Sequence, residues 1–290
     1  MSAQLKKTNP FEGLSLIKKE DYQGLDVFSL YSKVEALAPS YQEDETKDMF
    51  FYLYVINILV AAKIDFLVKG GILLNMYLGE HARRTKDIDV LVKDPDLFFN
   101  EASNALMGVS GDITFKTKWI KKRTANENYY HNTFAFTVEA YHNDELINKV
   151  DIDGKFKDDY ESIEKVKYKG PEVIGEDFYF YGTRIEYIVS EKILAMSSNL
   201  TRPVKHLIDL YGLKNIDLDV NLLKEILNKG LIEENQVREK CGVPLLNQGY
   251  LIKDGKSFIG SYFLEAIAAG YSLPMDDMIK EVNSWIKTRL

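Results

Sequence analysis

The segment "FLVKGGILLNMYLGEHARRTKDIDVLV", residues 66–92, constrains the fold of this chain more than any other stretch. Two short apolar runs, each typical of a buried β-strand, enclose an apolar stretch with the length of a short helix. Gly70 and Gly71 end the first run, and Asp94-Pro95 follows the second. Both dipeptides mark turns. The segment therefore predicts a strand, a helix and a second strand in succession.

The rest of the chain predicts more strands and then helices. An apolar helix precedes the first strand, and another helix is expected near 96–107. From about residue 160 the apolar positions recur at helical spacing. Three segments between these parts are rich in β-branched and aromatic residues and are read as strands: "DITFKTKWIKK", "NTFAFTVEAY" and "LINKVDIDG". We predict an α/β (α+β) fold in which a mixed sheet flanked by helices occupies residues 1–165, with an N-terminal helical extension, and a helical domain occupies 166–290.

Composition excludes several classes of protein. The single cysteine, Cys241, rules out an internal disulfide framework and a thiolate zinc cluster, so a reducing, cytoplasmic location is expected. The N-terminus lacks the apolar core of a signal peptide, and the longest apolar run, 49–62, is too short to span a bilayer, so no membrane association is expected. The four histidines show no metal-ligand spacing, and no zinc is expected.

The charge balance leaves one basic segment to explain. A net charge of -7 argues against nonspecific coating of nucleic acid. The segment "KTKWIKKR", residues 116–123, combines cations with a tryptophan, a mixture that suits phosphates and a stacked base. It fits equally an exposed edge strand whose lysines prevent aggregation, and this plainer interpretation is favoured from the residues alone.

The pattern Asp-x-Asp occurs four times, so the spacing alone is uninformative. Asp94 and Asp96 bracket a proline before a predicted helix. Asp217 and Asp219 also precede one. Aspartate at such positions caps the helix N-terminus. We assign both of these pairs to structure.

The other two pairs lie on predicted strands. Alternate side chains of a strand share a face, so Asp87 and Asp89 point away from the core. Such a pair can hold two divalent ions about 3.5 to 4 Å apart, an arrangement that serves phosphoryl chemistry. Asp151 and Asp153 repeat the pattern, and either can supply a third carboxylate if the two strands are neighbours.

The glycine pair completes a candidate phosphate site. Gly70 and Gly71 expose backbone N–H groups at the start of a helix, where an anion is favoured. The glycine fingerprints of dinucleotide-binding folds and P-loops are missing. Each feature alone is best explained as an ordinary turn or an acidic strand start, whereas together they favour phosphoryl transfer.

As an ordered series these motifs resemble the nucleotidyltransferase superfamily and, more closely, the AbiEii/AbiGii toxin family with the related MenT toxins. The resemblance covers roughly residues 50–215. It is carried by "VKGG", "RRTKDIDV", "KVDID", "SEKILA" and "RPVKHLIDLYGL". It implies a nucleotidyltransferase-like fold and the metal-dependent transfer of a nucleoside monophosphate from an NTP to an acceptor hydroxyl.

The resemblance also implies roles for single residues. The implied nucleotide-binding residues are Lys69, Gly70, Gly71, Arg83, Thr85 and Lys205. The implied catalytic residues are Asp87, Asp89, Asp151, Lys192 and Asp209. The first three of these acids would bind two Mg²⁺ ions, for which Mn²⁺ can substitute. Asp153 stays open as the third acid in place of Asp151.

The resemblance leaves the acceptor open. RNA, in particular the 3′ end of tRNA, is the expected acceptor, with the protein acting as the toxin of a toxin-antitoxin or abortive-infection system and a cognate antitoxin encoded nearby. One alternative is a small-molecule acceptor such as an aminoglycoside. Another is a non-catalytic domain that binds nucleotide.

Overall fold

The chain forms two compact units in the computed structural model. The structure describes residues 9–38, 45–109, 111–123, 132–197, 202–246, 250–252 and 258–290. Within these ranges the first unit runs to Glu80 and includes Arg84–Arg123 and Asn132–Thr183, and the second comprises His81–Arg83 and Arg184–Leu290. The predicted limit between a catalytic domain, 1–165, and a helical domain, 166–290, stays a prediction.

The first unit is built on a mixed β-sheet. Among the described residues the sheet has seven strands in the order β3-β4-β5-β2-β1-β7-β6. The strands are β1 (Leu67–Lys69), β2 (Asp87–Val92), β3 (Thr114–Arg123), β4 (Thr133–His142), β5 (Glu145–Phe156), β6 (Lys165–Lys169) and β7 (Tyr179–Thr183). The pairs β2-β5 and β1-β7 are parallel and the others are antiparallel, which confirms the predicted mixed sheet.

The described part of the first unit contains six α-helices. They are α1 (Pro10–Ser15), α2 (Lys19–Tyr22), α3 (Val27–Leu37), α4 (Glu45–Ala61), α5 (Gly71–Leu78) and α6 (Pro95–Met107). Helix α4 is apolar around most of its circumference and buries Leu53 and Ile56 completely, as a helix inside a core must. The Asp94 side chain accepts hydrogen bonds from the backbone N–H groups of Asp96 and Leu97, which confirms the predicted cap.

The predicted strand, helix and strand of residues 66–92 are present as β1, α5 and β2. The two strands pair antiparallel, with Lys69 opposite Asp89. Strands β6 and β7 extend the sheet beyond the strands predicted from the sequence. Val68 lies opposite Gly182 on β7, and a β-carbon on this glycine would lie 2.8 Å from the Val68 carbonyl oxygen. Glycine therefore permits this close strand approach.

The second unit is mainly helical, as predicted. Its helices are α7 (Ile185–Ser197), α8 (Val204–Leu213), α9 (Val220–Lys240), α10 (Tyr262–Ala268) and α11 (Met275–Arg289), and β8 (Arg202–Pro203) pairs with β9 (Phe258–Ile259). The Asp219 side chain caps α9, as expected for an acid just before a helix. Across both units, no helix in the described ranges has the length and apolarity needed to cross a bilayer.

Candidate active site

The register of two neighbouring strands brings four carboxylates to one face of the sheet. In the parallel pair β2-β5, Asp87 lies beside Asp151 and Asp89 beside Asp153. Neighbouring strands are about 4.8 Å apart, and successive positions on one face are about 6.6 Å apart. The intervening Ile88 is fully buried on the opposite face. The condition set by the sequence, that the two acidic strands be neighbours, is therefore met.

One of these acids is held in place by a buried hydroxyl. Thr137 on β4 lies opposite Asp151, and its Oγ1 donates a 2.7 Å hydrogen bond to Asp151 Oδ1. Asp151 itself is exposed, whereas Thr137 is buried. Asp153 lies opposite Ala135, also on β4, and alanine offers no polar side chain. The Thr137 hydroxyl thus orients Asp151.

The glycine pair forms a tight corner against β2. Gly70 has φ of +64°, which favours glycine, and a β-carbon there would lie 1.8 Å from Asp89 Oδ2. The backbone N–H of Gly71 donates a 3.3 Å hydrogen bond to the same oxygen. A β-carbon on Gly71 would lie 1.8 Å from Thr85 Oγ1. Only glycine at both positions leaves room for this arrangement.

A buried polar atom at the corner lacks a protein partner. Thr85 is 5% exposed, and its Oγ1 makes no hydrogen bond within the described part of the chain. Buried hydroxyls are normally satisfied, so each exception requires an explanation. The hydroxyl lies against Gly71 at the N-terminus of α5, where backbone N–H groups favour an anion. A phosphate oxygen bound here would give the Thr85 hydroxyl a hydrogen-bond partner.

A basic pocket adjoins the same end of the acidic face. We name it the glycine-side pocket; it has a volume of about 190 Å³ and is lined by Lys69, Asp89, Lys121, Thr133, Phe134, Asp153, Gly154 and Lys155. Lys69 is 6% exposed and lies opposite Asp89 in the β1-β2 ladder. The pocket therefore combines three cations with two of the four carboxylates.

The basic segment of β3 divides between the two faces of the sheet. Lys121 lines the glycine-side pocket, whereas Lys122 forms an ion pair with Asp96 on α6. Trp119 packs edge-on against Phe99, with ring centroids 4.8 Å apart, and is therefore engaged in the apolar layer rather than displayed for a stacked base. Strand β3 also lies at the edge of the sheet, as the plainer interpretation required.

A second polar pocket lies toward the other end of the acidic face. We name it the tyrosine pocket; it has a volume of about 340 Å³ and is lined by Asp48, Tyr52, Arg84, Lys86 and Lys149. None of these residues was predicted from the sequence to belong to a site. Lys149 precedes Asp151 by two positions on β5, so the alternation that aligned the acids could have found it. The others required the folded structure.

The segments "SEKILA" and "RPVKHLIDLYGL" contribute Lys192 and Asp209 to a buried charge cluster within the second unit. Asp209 on α8 is 1% exposed. Its carboxylate accepts a 2.7 Å hydrogen bond from Lys192 Nζ and bonds of 3.1 and 3.2 Å from Arg83 Nε. Burial acts to raise the pKa of Asp209, but the charges of Lys192 and Arg83 outweigh it and lower that pKa below its usual value. Asp209 is therefore ionised and neutralised by two cations.

Two neighbours on α8 complete this region. His206 Nδ1 lies 3.5 Å from Lys192 Nζ, and burial, reinforced by the Lys192 charge, lowers the pKa of His206 well below its usual value. His206 is therefore neutral at pH 7. Lys205, one turn before Asp209, is half-buried. Asp209 contacts Lys192 and Arg83. Arg83 is distant in the chain, so spacing along the sequence could not indicate that it is a partner of Asp209.

The acidic face suits a hard divalent cation by its chemistry. Magnesium prefers carboxylate oxygens, and the register places Asp87 and Asp151 side by side. Within the described residues, no three His, Cys, Asp or Glu side chains already stand close enough to hold a metal ion. Within that part of the chain the acids are therefore neighbours in the strand register without a preformed cluster of metal ligands.

Comparisons with known proteins bear on the family and the fold of this chain. The sequence model of the family described as "Nucleotidyl transferase AbiEii toxin, Type IV TA system" matches residues 52–285. No curated protein sequence matches. The nucleotidyltransferase toxin MenT4 from Mycobacterium tuberculosis H37Rv has a similar structure, with a TM-score of 0.59, 13% identity and 85% of each chain covered. At this identity the likeness concerns the fold alone.

Two further solved structures show weaker similarity. JHP933 from Helicobacter pylori aligns with a TM-score of 0.46 and 14% identity over 86% of this chain and 96% of that one. The Megavirus polyadenylate synthase aligns with a TM-score of 0.38 and 16% identity over 65% of this chain and 35% of that one.

Proposed function

This chain belongs to the AbiEii nucleotidyl transferase toxin family, and on that basis we propose that it transfers a nucleoside monophosphate from an NTP to an acceptor hydroxyl, releasing pyrophosphate. The observation that carries the proposal is the register of β2 and β5, which aligns Asp87 with Asp151 and Asp89 with Asp153 on one face. The donor phosphates are proposed to lie next to these acids, at the glycine corner beside Asp89.

The donor site is proposed at the glycine corner. Backbone N–H groups of Gly70 and Gly71 and the Thr85 hydroxyl would donate to phosphate oxygens. Lys69 would neutralise part of the triphosphate charge from the adjoining pocket. Glycine at both positions lets the Asp89 carboxylate and the Thr85 hydroxyl lie directly against the backbone of the corner, beside the proposed donor phosphates.

The acidic face would hold the metal. Asp87, Asp89 and Asp151 are the proposed ligands of Mg²⁺ or Mn²⁺, with Asp153 as the alternative to Asp151. A bound divalent metal would neutralise charge on the reacting phosphate and on the leaving pyrophosphate. Asp151, oriented by Thr137, is also placed to accept the proton of the acceptor hydroxyl.

The charge cluster of the second unit is proposed to serve the same reaction. Asp209 orients Lys192 by accepting a 2.7 Å hydrogen bond from its ammonium group. Lys192 and Lys205 are the proposed phosphate-binding cations, and Arg83 anchors Asp209 from its other side. Transfer kinetics of Lys205→Ala test this role, whereas Lys192→Ala also leaves the buried Asp209 with one counter-charge fewer, so its unfolding in urea is measured alongside its kinetics.

The proposed acceptor is RNA, with the 3′ end of tRNA as the favoured site, and the proposed location is the cytoplasm. The family's description as the toxin of a type IV system supports a cognate antitoxin as a genetic partner. A small hydroxylated molecule such as an aminoglycoside is the second candidate acceptor. A third reading, nucleotide binding without turnover, predicts complex formation with no product.

Incubation with each α-labelled NTP, magnesium and total RNA tests the proposal. Labelled RNA is expected with the wild-type protein and with Asp217→Ala, a control from an Asp-x-Asp pair outside the site. An Asp87→Ala/Asp89→Ala protein should give no label. Absence of labelled product from RNA and from aminoglycosides with every NTP, or labelling that survives loss of both acids, would remove the proposal.

A further inference from the structure

The tyrosine pocket lies at the end of the acidic face opposite the glycine corner. Lys86 directly precedes Asp87, and Lys149 shares a strand face with Asp151 at a distance of about 6.6 Å along β5. The glycine-side pocket instead contains Asp89 and Asp153. The two pockets thus meet the acidic face at its two ends.

The lining of the tyrosine pocket favours an anion. Three cations, Arg84, Lys86 and Lys149, face one carboxylate, that of Asp48. Asp48 accepts a 2.7 Å hydrogen bond from Arg84 Nη2 and so fixes the guanidinium, which suits phosphate recognition.

The Lys149 ammonium lies 3.4 Å from Glu139, but both side chains are partly exposed. Such surface pairs contribute little to stability, so Lys149 can turn toward a ligand at small cost.

A buried tyrosine supplies a neutral donor to the same pocket. Tyr52 is 4% exposed, yet it lines the pocket. Burial, followed by the charges of Asp48 and Asp87, raises the pKa of Tyr52 above its usual value. The hydroxyl therefore stays protonated and can donate a hydrogen bond. A cationic wall with a fixed guanidinium and a hydroxyl donor matches the oxygens of a phosphate group.

We propose that the tyrosine pocket binds a backbone phosphate of a nucleic-acid acceptor and so places the acceptor hydroxyl at Asp87 and Asp151. This assignment rests on the proposed nucleotidyl transfer. A transfer reaction must bring two substrates to one set of acids, and the donor is proposed to bind at the glycine corner, at the Asp89 end. The acceptor then enters from the Asp87 end, where a polycationic small molecule such as an aminoglycoside would be repelled by the three cations.

Charge reversal at the two exposed lysines tests the site. The test variant is Lys86→Glu/Lys149→Glu. The control is Lys33→Glu/Lys167→Glu, which makes the same charge change at exposed positions of the first unit that line neither pocket. A second variant, Lys86→Gln/Lys149→Gln, covers the case in which charge reversal prevents folding. The acceptor probes are total RNA and a short mixed-sequence oligoribonucleotide, with a methylphosphonate version of the latter as the uncharged analogue.

The expected result separates acceptor from donor. The KM for RNA should rise at least about tenfold in the test variant, since each lost charge-assisted contact weakens binding by roughly that factor. The logarithmic salt dependence of RNA binding should become shallower by about one for each lysine neutralised. Calorimetric binding of magnesium-NTP should stay at the wild-type level. The methylphosphonate oligonucleotide should bind equally weakly to the wild-type and test proteins.

Three outcomes would overturn the assignment while leaving nucleotidyl transfer intact. The first is an unchanged KM and salt dependence for RNA in both lysine variants, and the second is an equal loss in the Lys33/Lys167 control. A rise in the KM for magnesium-NTP with no change for RNA would assign the pocket to the donor and also overturn it. If the wild-type protein labels no acceptor, the proposed nucleotidyl transfer itself is wrong. RNA binding is measured without turnover, so its outcome tests the pocket separately from the proposed function.

Discussion

The acidic face of the first unit and the charge cluster of the second use aspartate in opposite ways. Asp209 is 1% exposed and is bonded to two cations within 3.2 Å. Asp87 and Asp151 lie side by side on neighbouring strands, where two like charges repel each other. One region holds a carboxylate whose charge is balanced inside the protein, and the other concentrates negative charge at a surface.

This difference indicates which region awaits a ligand. Breaking a buried ion pair leaves an uncompensated charge, so the cluster should matter for folding. Like charges gathered on a strand face reduce stability and persist where a cation or substrate offsets them. The contrast therefore predicts that acids of the first unit affect activity far more than stability, whereas Asp209 affects stability strongly.

The largest expected effect is on transfer by the acidic face. Asp87→Ala should lower kcat by at least about 10⁴-fold, equivalent to more than about 5 kcal/mol, because it removes a proposed metal ligand. Its free energy of unfolding should stay within about 1 kcal/mol of wild type, since a like-charge contact is lost. Labelled-nucleotide transfer and urea unfolding measure the two quantities. A large loss of stability with activity retained would invert the contrast.

The second prediction concerns the buried cluster. Asp209→Ala should lower the free energy of unfolding by about 3–5 kcal/mol, because Lys192 and Arg83 are left without their counter-charge. Asp209→Asn keeps hydrogen-bonding atoms but no charge and should lie between this variant and wild type. Asp217→Ala, at an exposed aspartate of the same unit, should change the value by less than about 0.5 kcal/mol. Equal stability of the Asp209 and Asp217 variants in urea would remove the distinction between the two regions.

The third prediction sharpens the contrast at a single hydroxyl. Thr85→Val keeps the shape of the side chain but removes the buried Oγ1, which has no partner in the described residues. The free energy of unfolding should rise by about 1 kcal/mol, because an unsatisfied buried group is costly. The affinity for magnesium-NTP should fall about threefold to tenfold, as for one lost hydrogen bond. Thermal unfolding and calorimetry test these opposite signs, and a variant that loses both stability and affinity would show that the hydroxyl is structural.

Local patterns in the sequence predicted much of the fold and the acids of the site. Glycine and proline turns, apolar spacing and strand alternation marked β1, α5 and β2 and placed Asp87 and Asp89 on one face. Alternation within a strand cannot reveal which strand lies beside it, so the pairing with β5 was a condition until the sheet order was known.

Contacts between residues far apart in the chain were beyond the sequence. Arg83 and Asp209 are 126 positions apart, and no local pattern links them. The same holds for the packing of Trp119 on Phe99, which depends on how α6 crosses β3. For strands β6 and β7 the sequence predicted only a few short extended pieces after residue 160, because each strand is five residues long and its place in the sheet depends on a close approach at Gly182.

The smallest expected effect is the pH dependence that the cluster imposes on stability. The folded chain keeps His206 neutral because its pKa is lowered, whereas the unfolded chain binds a proton near pH 6.5. Stability from this group is therefore complete above pH 6.5 and is lost as the pH falls toward the folded pKa, at a rate of at most about 1.4 kcal/mol per pH unit. His206→Gln should remove this part of the slope. Urea unfolding of both proteins at pH 7.5, 6.5 and 5.5 provides the test: the difference between them should change by about 0.4 kcal/mol between the two higher values and by about a further 1 kcal/mol at the lowest. If the two proteins lose stability in parallel at all three pH values, protonation of His206 costs the folded cluster no stability. The second unit would then tolerate an uncompensated charge, a property that the contrast above attributes to the first unit alone.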